Sequence, residues 1–389
     1  MIEHYPAYIG ALVFIAGSLK FLEKRTRWKI FEYLPPVVLV YLTGMLAATF
    51  GVWKLVPEIN ASGKAVRDVL LPAMIYLMLL SCDLRRVWRL GGKMLLGFFS
   101  ASFTIALGFI VVYFLFKSRL GPDAWKALAA LCGSWMGGTA NMVAIQGAFK
   151  VSDAQMGYTL MMDTVVYSAW VMVLLLLIPA KNIFNRWCRA DGRTLEAVGV
   201  ALAKDQDADS GEKREMELAE MLFLCGLGLG LAALSGWLCG MLPKISWIDA
   251  RTMTILVVTV LGVISASTPL GRIPGSALLG NTMLYIIVAI IGSRVVLGDL
   301  AEAPLYLLIG FMIVAVHAVG MLLLARLFRL DLFTCGVASL ANIGGVAAAP
   351  VLAAAYSPYL VGIGVLMALL GYAIGTGGGL VVGWILSVI

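Results

Sequence analysis

The chain has 389 residues, of which 61% are hydrophobic and 13% charged, about half the charged share that covers a soluble domain. That composition excludes an array of soluble domains and makes lipid the natural solvent. The formal charge of +7 does not point to nucleic acid, because the basic residues gather between apolar runs and no nucleic-acid motif accompanies them.

The first apolar run, 8–22, has no basic residue in the preceding Met1–Pro6, and Lys24, Arg25, Arg27 and Lys29 follow it. That order predicts a retained helix with its N-terminus outside, not a signal peptide. A membrane span needs about 17–25 apolar residues. Further candidates lie at 34–53, 69–82, 94–116, 127–149, 160–180, 218–242, 252–270, 277–293, 304–328, 334–356 and 361–388. Pro35-Pro36 marks a start or kink in the second. Residues 181–217 carry Asp205, Asp207, Asp209, Glu212, Lys213 and Arg214 and read as a solvated linker. Cys82, Cys132, Cys188, Cys225, Cys239 and Cys335 are scattered without CxxC spacing, and the chain has only two His. They read as apolar packers, not as a zinc site.

The segments on either side of the linker match in order. Met74-Ile75-Tyr76 is paired with Met283-Leu284-Tyr285, and the same offset pairs Arg85 with Arg294. The small-residue stretch from Cys132 to Asn141 parallels that from Cys335 to Asn342, Ser152 parallels Ser357, and Tyr167 parallels Tyr372. This is an internal repeat. If all twelve segments crossed, 13 of the 29 Lys and Arg would be cytoplasmic; if 127–149 and 334–356 dip in and return, 19 are. The bias of basic residues to the cytoplasmic side favours the second arrangement. The acidic turn at 299–302 then lies outside. The expected fold is an all-α polytopic membrane protein with two inverted repeats, about ten transmembrane helices and two re-entrant or broken Gly-rich segments. Its parts are an N-terminal helix and basic loop (1–29), a first repeat (30–180, hairpin 127–149), a cytoplasmic linker (181–217), an extra helix (218–250) and a second repeat (251–389, hairpin 334–356).

Gly137-Gly138 and Gly344-Gly345 interrupt their segments, and glycine weakens a helix interior. Paired interruptions in corresponding positions point to a transporter site. For Gly226, Gly228, Gly230, Gly379 and Gly383, close helix packing is the simpler expectation.

The Gly137–Asn141 motif and the Ser-Leu-Ala-Asn-Ile-Gly-Gly motif at Ser339–Gly345 resemble those of a family of bacterial and plant membrane proteins catalogued as a domain of unknown function. The resemblance covers nearly the whole chain. More distantly, the layout is similar to the sodium:glutamate and 2-hydroxycarboxylate symporters. Their fold implies inverted five-helix halves, each with a Gly-rich re-entrant loop, and their activity implies cation-coupled import of small organic anions. The chain carries no close copy of their loop signatures, so their substrate-binding residues are not transferred.

Broken helices replace a solute's hydration shell with free N–H groups and carbonyls. Asn141 and Asn342 offer an acceptor and donors at the expected breaks, and Ser134, Thr139 and Ser339 offer hydroxyls. The alternative is that these groups cap the half-helices. Asp163 is the sharpest single residue, because an acid inside a membrane segment is costly and is a functional candidate by default. It would bind Na⁺ or carry a proton; the bland alternative is an interfacial pairing with Lys150. Tyr167 lies one turn later on the same face. Its counterpart Tyr372 has no acid beside it, since Ala368 stands where Asp163 would be. His317 is either a proton relay or a neutral interhelical hydrogen bond. Asp83 pairs with Arg85 or Arg86, and Asn281 faces the second hairpin or another helix.

The sequence therefore predicts a secondary transporter of the cell inner membrane. The expected activity is cation-coupled (Na⁺ or H⁺) symport of a small organic anion or zwitterion by an elevator-type alternating-access mechanism. A cation/proton antiporter and a channel or non-transporting scaffold are the rivals. No nucleophile, base and metal constellation indicates an enzyme. No cofactor is expected besides Na⁺, for which Asn141, Asp163 and Asn342 are the candidate ligands. The expected partners are a small-molecule substrate and the bilayer, with a homodimer common in such architectures.

Overall fold

The computed structural model describes residues 1–190, 216–241 and 250–389, except 27, 29, 34, 35, 83, 84, 86, 88, 89, 297, 299–301, 358 and 359. Pro35, Asp83, Arg86, most of the acidic turn at 299–302 and the charged part of the linker lie outside the described residues.

Ten helices of 14 or more residues stand outside the two hairpins among the described residues. They are α1 (Tyr5–Arg25), α2 (Pro36–Thr49), α3 (Pro57–Leu80), α4 (Gly91–Phe116), α7 (Asp153–Leu177), α9 (Leu218–Met241), α10 (Ala250–Ala266), α11 (Ser276–Gly292), α12 (Ala303–Phe328) and α15 (Val361–Val388). Between them lie the hairpin arms α5 (Ala124–Gly137) and α6 (Thr139–Phe149), a short α8 (Lys181–Cys188), and the arms α13 (Leu332–Ile343) and α14 (Gly345–Tyr356). Six of these helices (α1, α4, α7, α9, α12 and α15) are long and apolar enough to cross a membrane. Helices α2, α10 and α11 are apolar but shorter. Helix α3 carries Lys64, Arg67 and Asp68 in its first turns and is apolar from Val69 onward. The chain is an all-α polytopic membrane protein.

Proline starts several helices where a missing N–H costs nothing: Pro36 begins α2 and Pro57 begins α3. Ser152 caps α7 by accepting from the Gln155 N–H, and Asp331 caps α13 by accepting from the Thr334 N–H. Such caps satisfy donors that a helix start leaves free.

The linker begins later than the sequence suggests. Lys181–Cys188 forms α8, which continues α7 through one tight turn at Ile178–Ala180. Cys188 is buried, and the Asn185 side-chain oxygen accepts from the Leu332 N–H at 2.9 Å. Asn185 of α8 thereby holds the start of hairpin 2.

Helices matched by sequence pack against each other in antiparallel pairs. In the α3–α11 pair, Gly280 lies against Met78 and Gly63 against Ile290. In the α4–α12 pair, Gly320 lies against Thr104 and Gly108 against Ile313. Small residues permit such close approach where lipid gives no hydrophobic drive. The arms of hairpin 1 sit in the largest buried cluster, and those of hairpin 2 sit mainly in a second cluster with the start of α4.

The close-packing reading of the scattered glycines holds in part. Gly228 faces Leu77, Gly379 faces Gly133 and Ile145, and Gly383 faces Phe149. Gly226 and Gly230 face nothing within 4 Å. Alanine there should therefore stabilise α9 through helix propensity alone, by up to about 1 kcal/mol per site. Thermal unfolding of the Gly226→Ala/Gly230→Ala double variant in detergent checks this; a lowered midpoint would contradict it.

Candidate functional site

Both Gly-rich segments fold back on themselves as hairpins. A Cβ on Gly133 in α5 would lie 2.9 Å from Ile145 Cγ1 in α6, and one on Gly336 in α13 would lie 3.2 Å from Leu352 Cδ2 in α14. A broken but straight helix would hold residues twelve apart about 18 Å from each other. The turns rest on backbone conformations that favour glycine, φ +90° at Gly138 and φ +58° at Gly345. The two tips meet, with the Cβ direction of Gly345 4.0 Å from Gly138 Cα.

A cavity of about 300 Å³ opens where the tips meet. Ser134, Gly138, Thr139, Asp163, Tyr167, Gly344, Gly345 and Tyr372 line it; each was singled out from sequence. The two tyrosines cross over. Tyr167, from the first half, lies against Gly344 of hairpin 2, and Tyr372, from the second half, lies against Gly138 of hairpin 1.

The Asp163 carboxylate accepts from Ser134 Oγ at 3.1 Å and from Trp135 Nε1 at 3.0 Å. It does not pair with Lys150, and no cation bridges it among the described residues. An acid held by two neutral donors at a cavity in the membrane has the makings of a cation or proton site. Ala368, at the matching position of the second half, is buried and apolar. No group of three or more His, Cys, Asp or Glu suited to a metal ion forms among the described residues.

Gly137, Asn141, Ser339 and Asn342 are not among the residues lining the cavity. Asn141 donates through Nδ2 to the Gly137 carbonyl at 2.7 Å and accepts through Oδ1 from Thr376 Oγ1 at 2.5 Å. It thereby satisfies a carbonyl freed by the break and ties the hairpin to α15. Asn342 accepts from Ser102 Oγ at 2.7 Å and donates to the Ala338 carbonyl at 2.9 Å, tying α13 to α4. The two asparagines are also not equivalent in position. Asn141 follows its break and Asn342 precedes its own, because the spacing from the shared cysteine differs by two residues. Asn141 thus closes the end of α5, while Asn342 joins two helices, and neither lines the cavity.

Ser339 belongs to a buried chain that also contains His317. Trp170 Nε1 donates to Ser339 Oγ at 2.8 Å, Ser339 Oγ and His317 Nε2 are 2.8 Å apart, and His317 Nδ1 and Thr104 Oγ1 are 2.8 Å apart. Thr104 Oγ1 donates to the Ser100 carbonyl at 2.9 Å. Every donor then has an acceptor if His317 is neutral and carries its proton on Nδ1. The histidine thus joins α7, α13, α12 and α4. His317→Leu would leave the Ser339 hydroxyl without its acceptor and Thr104 without its donor, at about 1–3 kcal/mol for each unsatisfied buried group. A detergent unfolding measurement should show a loss of about 3 kcal/mol for this variant; an unchanged midpoint would contradict the network.

Sequence reasoning missed several cavity residues. Lys20 and Glu23 of α1 line it with Tyr285 of α11; Asn281 of α11, expected from sequence to face the second hairpin or another helix, lines it too. Lys20 pairs with Glu23 at 2.5 Å and lies over the Tyr285 ring at 5.8 Å. The signal was present, since Lys20 lies within the first apolar run, but only Lys24, Arg25, Arg27 and Lys29 beyond that run were singled out. Trp135 was hidden within the small-residue motif, and Thr376 stood among glycines with nothing to mark it.

A relative named as a membrane protein accords with the apolar helices. The chain is 25% identical over 366 residues to the uncharacterized membrane protein YjcL of Bacillus subtilis (strain 168), covering 91% of this chain and 90% of that one. The sequence model of the family described as "Protein of unknown function (DUF819)" matches residues 10–389. With both hairpins and the cavity inside that match, the chain belongs to the DUF819 family of proteins.

Proposed function

We propose that the protein is a cation-coupled secondary transporter of a small organic anion or zwitterion. The observation that carries this reading is the meeting of two hairpin tips, one from each half, at a cavity holding the Asp163 carboxylate. Unwound backbone at membrane depth persists where it is buried in protein or lines a cavity, and paired interruptions mark the binding site in transporters built from repeats. The antiparallel pairing of α3 with α11 and of α4 with α12 supports an inverted repeat. In that reading hairpin 1 enters from outside, hairpin 2 from the cytoplasm, and the bundle bearing both moves against a scaffold containing α3 and α11. Asp163 binds the coupling Na⁺ or proton. Lys20 supplies the cationic side of the cavity that the anion reading needs. The inner membrane is the compartment this reading implies.

The test is uptake by reconstituted proteoliposomes across a panel of carboxylates and amino acids, with imposed Na⁺ or proton gradients. Saturable, gradient-driven accumulation of one solute is the expected result. Asp163 also favours a second reading, a cation/proton antiporter with no organic substrate. Proton movement driven by a Na⁺ or K⁺ gradient with no solute present would select it. Flux without coupling or saturation would sink both.

A further inference from the structure

A second cavity, of about 330 Å³, lies between α3, α6 and the start of α10, at the far end of hairpin 1 from its tip. Lys64, Arg67, Lys150 and Arg251 line it, with Gln146 and the single carboxylate of Asp153. That carboxylate is already shared. One oxygen accepts from Arg67 at 2.9 Å and from Gln146 Nε2 at 3.1 Å, and the other lies 3.1 Å from Arg294. Arg294 also donates to Asn60 at 2.9 Å, and Arg251 pairs with Asp68.

Three partly buried guanidiniums, those of Arg67, Arg251 and Arg294, thus share two carboxylates, with the exposed Lys64 and Lys150 beside them. The Arg67 side chain is only 17% exposed. Of its five N–H donors, one meets Asp153, and no second acceptor takes another among the described residues. Half-buried cations in excess of their counter-charges raise the energy of the site, and an incoming anion relieves it. A guanidinium with free donors suits carboxylate or phosphate oxygens. We propose that this pocket binds an anionic group, a carboxylate or a phosphate, through Lys64, Arg67, Lys150 and Arg251. The group arrives on a free solute or on a lipid headgroup. Because the pocket joins hairpin 1 to α3 and α10, its occupant would clamp the hairpin to those helices. The proposal concerns binding and stands whether or not the protein transports anything.

The test is thermal unfolding of the full chain in neutral detergent, titrated with inorganic phosphate or citrate against sodium chloride at matched ionic strength. A parallel arm adds short-chain phosphatidylglycerol against phosphatidylcholine. A midpoint that rises with phosphate or citrate supports a free solute; one that rises only with phosphatidylglycerol supports a headgroup. In either case Lys64→Gln/Lys150→Gln should bind at least tenfold more weakly, while Lys54→Gln should bind as the parent does. Lys64 and Lys150 are exposed, so this variant leaves the Arg67–Asp153–Arg294 bridge in place. If the double variant does not fold, the two single variants give the same reading. No shift with any of the three anions, or an equal shift in the double variant, overturns the proposal.

Discussion

Asp163→Asn should abolish ion-driven uptake, by about two orders of magnitude or roughly 3 kcal/mol of lost coupling, while the protein becomes more stable. Asn keeps an oxygen where the Asp163 carboxylate oxygen accepts from Ser134 Oγ and Trp135 Nε1, so the contacts that position the residue survive. What disappears is the charge. With no bridging cation among the described residues, the charge is uncompensated, and burying a lone ion carries a penalty of roughly several kcal/mol that Asn does not incur. Opposite movement of activity and stability marks a functional residue rather than a structural one. The measurements are gradient-driven uptake and detergent unfolding on the same preparation. Unchanged ion-dependent uptake would remove Asp163 from the mechanism. Lowered stability together with lost uptake would make it a packing residue.

The architecture was legible in the sequence because its signals are coarse. Apolar run lengths gave the ten helices, and basic residues arbitrated between crossing and returning segments. Paired glycines at 137–138 and 344–345 located both hairpins to within a residue. The cavity was legible where a residue is out of place in a membrane, as Asp163 is, or sits on a helix face fixed by one already placed, as Tyr167 does. It was less legible for asparagine and serine. Asn141, Asn342 and Ser339 have the right chemistry for ligands, but the same chemistry closes carbonyls and hydroxyls left open by a broken helix, and only distances separate the two uses. Lys20 shows the converse failure. It was passed over inside the first apolar run, whereas its neighbours in space are Glu23, Tyr285 and the hairpin tips.

The second large effect is expected at Gly137. Glycines four apart share a helix face, and Gly133 and Gly137 of α5 meet Gly371, Gly375 and Gly379 of α15. A Cβ on Gly375 would lie 2.8 Å from Gly137 Cα, and one on Gly379 would lie 2.9 Å from Gly133 Cα. A Cβ on Gly137 would overlap both the Gly371 carbonyl oxygen and Asn141 Nδ2. The first obstacle is backbone and cannot rotate away. The second is the amide that closes the Gly137 carbonyl. Overpacking usually costs about 1–3 kcal/mol, and Gly137→Ala should reach the top of that range, because helix and hairpin must separate. Gly371→Ala meets its nearest neighbour at 3.0 Å and should cost less. Since α15 holds the hairpin whose tip lines the cavity, Gly137→Ala should lose uptake and stability together, unlike Asp163→Asn. An unfolding midpoint for Gly137→Ala equal to that of Gly226→Ala would show that α5 and α15 are not in backbone contact and that the tip is positioned by something else.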